Sequence, residues 1–329
     1  MALTPRRIVV VGLGSIGRRH ARLLQARPDL TVEFCEPSRD ILALAARELG
    51  QARVHPSYQS ALASRPDAVV LATPHALHAT QTLAALEHGI HVLCEKPMSD
   101  SLESARTMRD AARGSRAVLC IGFMLQFHPV MRRLKDLIAS GALGRILAIR
   151  YLVGAYVTLV NSLSRYQAAL EGALLLDYAH QPDILHWLTG RRPAGVYMAG
   201  IQGGDLEFQS NPNALSLVCD YDEPLLVTLD LNYIQMPLRH ECEVMGDRAW
   251  ALCDLDQGRI RLGRRDEPKP AEVILTVDRD NLYRDEHQAF LDAMDGTRPP
   301  FRSAEEALVS MEVVDAALRS WRERRRVTL

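Results

Sequence analysis

GLGSIG, residues 12–17, follows an apolar run and precedes a helical pattern, so Gly12, Gly14 and Gly17 stand where backbone N–H groups can face a pyrophosphate. Any Cβ there would block that approach. Ser15 and Ile16 complete the loop. Nineteen positions after Gly17, Glu36 ends the second apolar run. An acid about 20 residues downstream is placed to accept hydrogen bonds from an adenosine ribose diol and to repel a 2′-phosphate. NAD is therefore the expected cofactor. Arg39, three residues on, is suited to a phosphate and keeps NADP possible.

A second group of chemical residues ends the run HVLCEKP, residues 91–97. The carboxyl ends of parallel strands border a dinucleotide crevice, and Pro97 cannot extend a ladder, so Glu95 and Lys96 stand at that edge. Partial burial and a neighbouring positive ring disfavour an ammonium, which fits Lys96 to exchange a proton with a substrate hydroxyl near neutral pH. A third group lies in GALLLDYAHQPDILHWLTG, residues 172–190. Asp177, His180 and Asp183 are spaced by three, which on a helix puts an imidazole between two carboxylates. A carboxylate orients the ring and stabilises its imidazolium, making His180 a proton acceptor with Asp177 or Asp183 as partner. Pro182 forfeits the bond to the Tyr178 carbonyl, so a first turn or kink is expected there rather than an unbroken helix.

The elements that position these groups follow from the hydrophobic pattern. Strands are expected at 8–11, 31–35, 68–72, 91–94 and 117–122, with helices at 16–25, 41–49, 80–88 and 102–113. Such alternation of β-branched runs and helical patterns predicts a doubly wound parallel sheet. After residue 124 the pattern changes to a helix at 129–140, a long strand at 146–157, and alternating strands near 195–201, 215–221, 225–233, 241–245, 249–253 and 273–277. Helices at 280–295 and 303–322 close the chain. The fold class is thus α/β, with an N-terminal Rossmann domain over 1–124. Residues 125–329 are expected to form a substrate-binding and oligomerisation domain with an open, mostly antiparallel sheet.

ATPHALHATQTLAALEHGIHVLCEKP, residues 72–97, together with GLGSIG, resembles the Gfo/Idh/MocA family of sugar and cyclitol dehydrogenases. Thr73, Pro74, His78, Gly89, His91, Glu95, Lys96 and Pro97 occupy the places of its shared pattern. FHPVMRRLKDLIASGALGRI from Phe127 resembles the family's crossover helix and YRDEHQAFLDAMDGTRPP from Tyr283 its closing helix, so the likeness spans nearly the whole chain. The resemblance implies NAD(P)-dependent oxidation or reduction of a carbohydrate, with Lys96 central to proton transfer and often a strained Lys-Pro peptide. It also implies a second-domain sheet that often serves as an oligomer interface, hence a homodimer or homotetramer. Two positions depart from the pattern. The commoner aspartate, four residues before the histidine, is replaced by Leu176, with Asp177 three before instead. Gln126 stands where relatives commonly have an arginine, which puts an inherited anionic substrate in doubt.

Cofactor contacts are accordingly expected from Gly12, Gly14, Ser15, Ile16, Gly17, Glu36, Arg39, Thr73, Pro74, His75, His78, Glu95, Lys96 and Gln126. Substrate contacts are expected from Lys96, Arg165, Tyr166, Asp177, His180 and Tyr283. The catalytic assignment is Lys96, His180 and Asp177. His75 and His78 form an HxxH with no third ligand at a recognisable spacing, so no metal is expected. None of the nine tyrosines stands four residues before a lysine, which sets aside the short-chain dehydrogenase mechanism.

Composition bounds the partners. A formal net charge of -1 and a pI near 6.8 give no general pull toward nucleic acid or an anionic membrane, and a small carbohydrate-like molecule is the expected partner. The apolar run near the N-terminus is shorter than a signal sequence needs, and a cytoplasmic location is expected. Six scattered cysteines without CxxC read as buried reduced thiols. The reaction expected is hydride transfer between NAD(H) and a secondary alcohol or ketone of a sugar, sugar derivative or cyclitol. The alternatives are a dinucleotide-binding sensor without turnover, or a reductase of an imine or conjugated double bond.

Overall fold

A computed structural model describes residues 5–156, 171–206 and 210–329. The chain divides into two compact units: residues 1–124 with 279–311, and residues 125–278 with 312–329.

The first unit is built on six parallel strands, β1 (Arg6–Val11), β2 (Leu30–Cys35), β3 (Val54–His55), β4 (Ala68–Leu71), β5 (His91–Glu95) and β6 (Leu119–Gly122), in the order β3-β2-β1-β4-β5-β6. Helices α1 (Ser15–Gln25), α2 (Arg39–Leu49), α3 (Tyr58–Ala63), α4 (His78–Glu87) and α5 (Leu102–Gly114) connect them. Strands with helices on both faces must be apolar throughout, as AVVL of β4 is, rather than alternating. Ser38 and Ser101 start α2 and α5 by accepting from the amides of Ile41 and Ser104 at 3.3 and 3.2 Å. The core joins Ile8, Val10, Leu13, Leu24, Val70 and Leu93 to Phe290 and Leu291 of a helix far along the chain, at Arg279–Met294. Each such buried side chain contributes roughly 1.5–3 kcal/mol. Truncating Leu93, fully buried in the central sheet, would cost about 2–5 kcal/mol.

Register fixes the functional edge. Val11 lies opposite Cys35 and Leu71, Leu71 opposite Cys94, and Cys94 opposite Ile121. One residue further along each strand, Glu36, Gly12, Ala72, Glu95 and Gly122 form a single row at the carboxyl end of the sheet.

The second unit begins with α6 (Pro129–Ala139) and carries β7 (Ile146–Gly154), then α7 (Ala173–Asp177) and α8 (His180–Thr189). Eight further strands follow: β8 (Gly195–Ile201), β9 (Ala214–Asp220), β10 (Leu226–Asn232), β11 (Arg239–Gly246), β12 (Ala249–Asp254), β13 (Arg259–Arg264), β14 (Ala271–Ile274) and β15 (Val327–Thr328). Helix α9 (Arg279–Met294) and α10 (Ala304–Glu323) lie between β14 and β15 in sequence. The nine strands run in the order β14-β13-β12-β11-β7-β10-β9-β8-β15, antiparallel except for β7 with β10. One face is covered: Leu215, Leu217 and Cys219 of β9 and Val227, Leu229 and Leu231 of β10 join the core, while their alternates turn away. That period of two is what an antiparallel sheet with one covered face demands. All six cysteines are buried free thiols, and burial pushes Cys35 up to about 11 and Cys253 up to about 12. No described helix is long and apolar enough to cross a membrane.

Candidate active site

The glycine loop is fitted closely to the sheet edge. Gly12 has φ +84, and a Cβ there would lie 2.7 Å from the Ala72 carbonyl oxygen. A Cβ on Gly17 would lie 1.9 Å from the Gly12 carbonyl oxygen. These two glycines let the loop, β4 and α1 close on one another. Gly14 is different, because no atom of the described residues lies within 4 Å of its ideal Cβ. It opens α1 without any side-chain cap, and the first turn of the helix carries no acidic residue. Open space before an uncapped, electropositive helix end is the cradle that a pyrophosphate requires, so these residues fit a dinucleotide.

Glu36 locks that loop to β2. Its Oε2 accepts from the Leu13 amide at 2.8 Å and its Oε1 accepts from the Ser38 amide at 2.9 Å. Only 7% of the residue is exposed. The carboxylate is held at the edge with lone pairs remaining for hydroxyl donors, since each oxygen can accept more than one bond. Arg39 is exposed at the start of α2.

At the next strand ends, the Thr73 hydroxyl donates to Gln81 at 2.6 Å, and Pro74 and His75 begin a short turn leading into α4. His78 is 1% exposed, with Nδ1 at 2.9 Å from the Pro97 carbonyl and Nε2 at 2.9 Å from the Thr73 carbonyl. Carbonyls only accept, and the buried neutral imidazole has a single N–H, so it donates to one of the two and lies against the other, between the Thr73-Pro74 turn and the turn containing Lys96. Burial holds His78 below its usual range despite both carbonyls. The Lys96–Pro97 peptide is cis.

Glu95 turns back against its own strand end, where Oε2 accepts from the Lys96 amide at 3.1 Å. Its Oε1 lies 2.9 Å from His20 Nε2, and His20 Nδ1 lies 2.7 Å from His287 Nε2. Burial by itself would push Glu95 up, but the His20 hydrogen bond and charge, with the Lys96 charge, outweigh it and hold the carboxyl below its usual range. Glu286 completes the cluster, 0% exposed, with neither oxygen hydrogen-bonded among the described residues. Burial, then the Glu95 charge, pushes its carboxyl well above the usual range. Tyr283 is 3% exposed and packs edge-on against His20, ring centroids 5.2 Å apart, with the Arg19 guanidinium over its face.

Ligand atoms of His20, Glu95 and Glu286 fall within 4.8 Å of one another, a spacing a cation could span. Both His20 nitrogens are already hydrogen-bonded, however, which leaves its ring no lone pair for a metal.

In the second unit, the 172–190 segment breaks between α7 and α8. Pro182 falls in the first turn of α8, where a helix has no acceptor for an N–H. Asp177 therefore ends one helix and His180 begins the next, with Asp183 buried in the first turn. The Asp177 carboxylate accepts from the Tyr233 hydroxyl at 2.6 Å. Gln126 lies in a short turn before α6 and is 7% exposed. Arg165 and Tyr166 lie outside the described residues.

The first unit thus brings together Gly12, Gly14, Gly17, Glu36, Thr73, His78, Glu95 and Lys96 on one sheet edge; the second carries Gln126, Asp177 and His180. His20, Glu286, His287 and Tyr233 were not singled out from sequence. A signal was present for two of them. His20 interrupts the buried stripe of Gly17, Ala21 and Leu24 on α1, and Glu286 that of Leu282, Tyr283 and Phe290 on α9. An ionisable residue on such a face needs a partner.

Residues 6–123 match a family described as an oxidoreductase family with an NAD-binding Rossmann fold, and residues 131–252 match the GFO/IDH/MocA C-terminal domain. The rhizopine catabolism protein MocA of Rhizobium meliloti is 26% identical over 326 residues, covering 96% of this chain and 95% of that protein. An inositol 2-dehydrogenase of Mycolicibacterium gilvum is 30% identical over 282 residues, covering 79% of this chain and 74% of that protein. Among solved structures, a levoglucosan dehydrogenase in complex with NADH and levoglucosan superposes with a TM-score of 0.88 at 19% identity, over 98% of this chain and 99% of that one.

Proposed function

The chain belongs to the GFO/IDH/MocA family of NAD-binding oxidoreductases, and from that premise we propose that it moves a hydride between NAD(H) and a secondary alcohol or ketone of a sugar, sugar derivative or cyclitol. The observation that carries this reading is the shared row at the sheet's carboxyl edge. Lys96 follows Glu95 in the row that contains Gly12 and Glu36, so a proton-exchanging amine and a dinucleotide cradle belong to one rigid sheet.

NAD, when bound, supplies the hydride acceptor for oxidation. In this reading His180 takes the substrate hydroxyl proton, aided by Lys96, while Asp177 orients the imidazole. Tyr233, bonded to Asp177, holds that carboxylate in place. The first unit's contribution is orientation: Gly12 and Gly17 fix the loop, Glu36 fixes the ribose end, and His78 fixes the turn bearing Lys96. Proximity of this kind can supply about 7–11 kcal/mol of a barrier, whereas one acid/base group contributes roughly 100- to 10,000-fold.

Relatives named as acting on inositol and levoglucosan support an uncharged polyol or sugar as substrate, and Gln126 in place of an arginine agrees with a neutral one. The test is reduction of NAD by purified protein with a panel of cyclitols, aldoses, anhydrosugars and glucosides. Turnover with one such class supports the reading. Turnover confined to imines or conjugated double bonds would replace it.

A further inference from the structure

We propose that His20, His287 and Glu286 are positioning residues for Lys96: they fix one negative charge on Glu95, with Glu286 as the neutral acid, so that Lys96 works against an immobile countercharge. The inference rests on the reading of Lys96 as a proton-transfer residue.

The geometry decides which carboxyl is charged. Two carboxyl groups whose oxygens lie within 4.8 Å of one another in a buried site disfavour a second negative charge. Glu95 has donors from two sides, the His20 Nε2 at 2.9 Å and the Lys96 amide at 3.1 Å. Glu286 has none among the described residues and is fully buried. The charge therefore settles on Glu95 and the proton on Glu286, and the directions in which burial and neighbours push the two groups agree. His287 Nε2 engages the far nitrogen of His20 at 2.7 Å, so the ring that orients Glu95 cannot turn.

The groups that face this cluster come from five elements. They are Arg19 and His20 of α1, Glu95 of β5 with Lys96 after it, Cys120 of β6, and Tyr283, Glu286 and His287 of α9; His78 faces Glu95 from the start of α4. Glu95 is the anion whose charge acts on Lys96. Removing its charge must make Lys96 easier to deprotonate, whereas replacing Glu286 by a neutral amide removes no charge.

The chain has only three lysines, Lys96, Lys135 and Lys269, which makes a direct titration practicable. Reductive methylation with 13C-formaldehyde gives each a resolved NMR signal, and Lys96→Arg assigns the one that matters. Glu95→Gln is expected to lower the Lys96 midpoint by about one pH unit, a tenfold change in proton affinity. His20→Leu shifts it in the same direction, and Glu286→Gln leaves it in place. If His20→Leu does not fold, the two glutamine variants still decide. In the unlabelled protein, an infrared band of a protonated carboxyl persists at neutral pH and disappears in Glu286→Gln. An unmoved Lys96 in Glu95→Gln, an equal shift in Glu286→Gln, or no protonated carboxyl band would overturn the proposal. None of these readouts needs substrate. A protein that shows the shifts yet turns over no polyol would remove the reaction reading and leave the charge arrangement standing.

Discussion

Glu36 reaches from the end of β2 to the glycine loop and accepts the Leu13 amide at 2.8 Å, so the residue proposed to meet the adenosine ribose also ties down the glycine loop. Glu36→Ala should therefore weaken NADH as well as relax discrimination against NADPH. A hydrogen bond to a charged group contributes about 1.5–3 kcal/mol, which corresponds to roughly 10- to 100-fold in affinity. Calorimetric titration of the wild type and the variant with both cofactors measures it. Unchanged NADH affinity would show that the Glu36 contact to Leu13 has no part in binding.

The three glycines should fail in different ways. Gly14→Ala has room and should melt within about 2 °C of the wild type, because an unstrained exposed change is usually within about 0.5 kcal/mol. It should nevertheless lose NADH affinity by an order of magnitude or more, since the methyl fills the phosphate approach. Gly17→Ala drives a Cβ into the Gly12 carbonyl and should lower both the melting temperature and the affinity. Paired thermal scans and NADH fluorescence titrations separate the two cases.

Tyr233→Phe deletes the donor to Asp177 and little else. If Asp177 orients His180 as proposed, kcat should fall roughly 10- to 100-fold, the equivalent of about 1.5–3 kcal/mol, while NADH affinity holds. Equal kcat in the variant would detach Asp177 from the reaction.

Stability should fall with acid before the carboxylates titrate. Burial pushes His128 and His240 down to about 4, the first partly offset by the Leu255 carbonyl, the second lowered further by His128. An ordinary histidine titrates near 6.5. Both groups are thus neutral in the folded protein and take up protons on unfolding, so their contribution is complete above about pH 6.5 and lost as pH falls toward 4. The urea midpoint should drop steadily between pH 6.5 and 4, with His128→Gln flattening the slope. A constant midpoint across that interval would contradict neutral burial of the pair.

Where sequence periodicity was strong, it located the elements to within a residue or two. The strands ending at Val11, Cys35 and Leu71 and the helices α1 and α2 are runs whose period and flanking glycines agree. Two kinds of element escaped. Val54–His55, Val327–Thr328 and the six-residue α3 are too short to show a period, and β13, RIRLGR, hides its buried Ile260 and Gly263 among three arginines. The break between α7 and α8 was legible in Pro182 alone. In the site, Gly12, Gly17, Glu36, Glu95 and Lys96 were legible because strand ends and turns carry distinctive residue types. His20 and Glu286 were not, since their meeting depends on α1 and α9, more than 260 residues apart in sequence, packing in one unit. His78 carries a motif position, but its place between the Thr73 and Pro97 carbonyls of two turns is something no spacing reveals.

We propose that this protein transfers hydride to NAD from a polyol with Lys96 and His180 in proton transfer. The most direct measurement is NADH formation by the wild type, Lys96→Ala and His180→Ala on one turned-over polyol, alongside NADH binding by fluorescence. Wild-type turnover, loss of at least 100-fold in each variant, and cofactor affinity within about twofold throughout, a difference of some 0.4 kcal/mol, are the expected results. Variants that bind NADH and turn over at the wild-type rate would contradict the proposal.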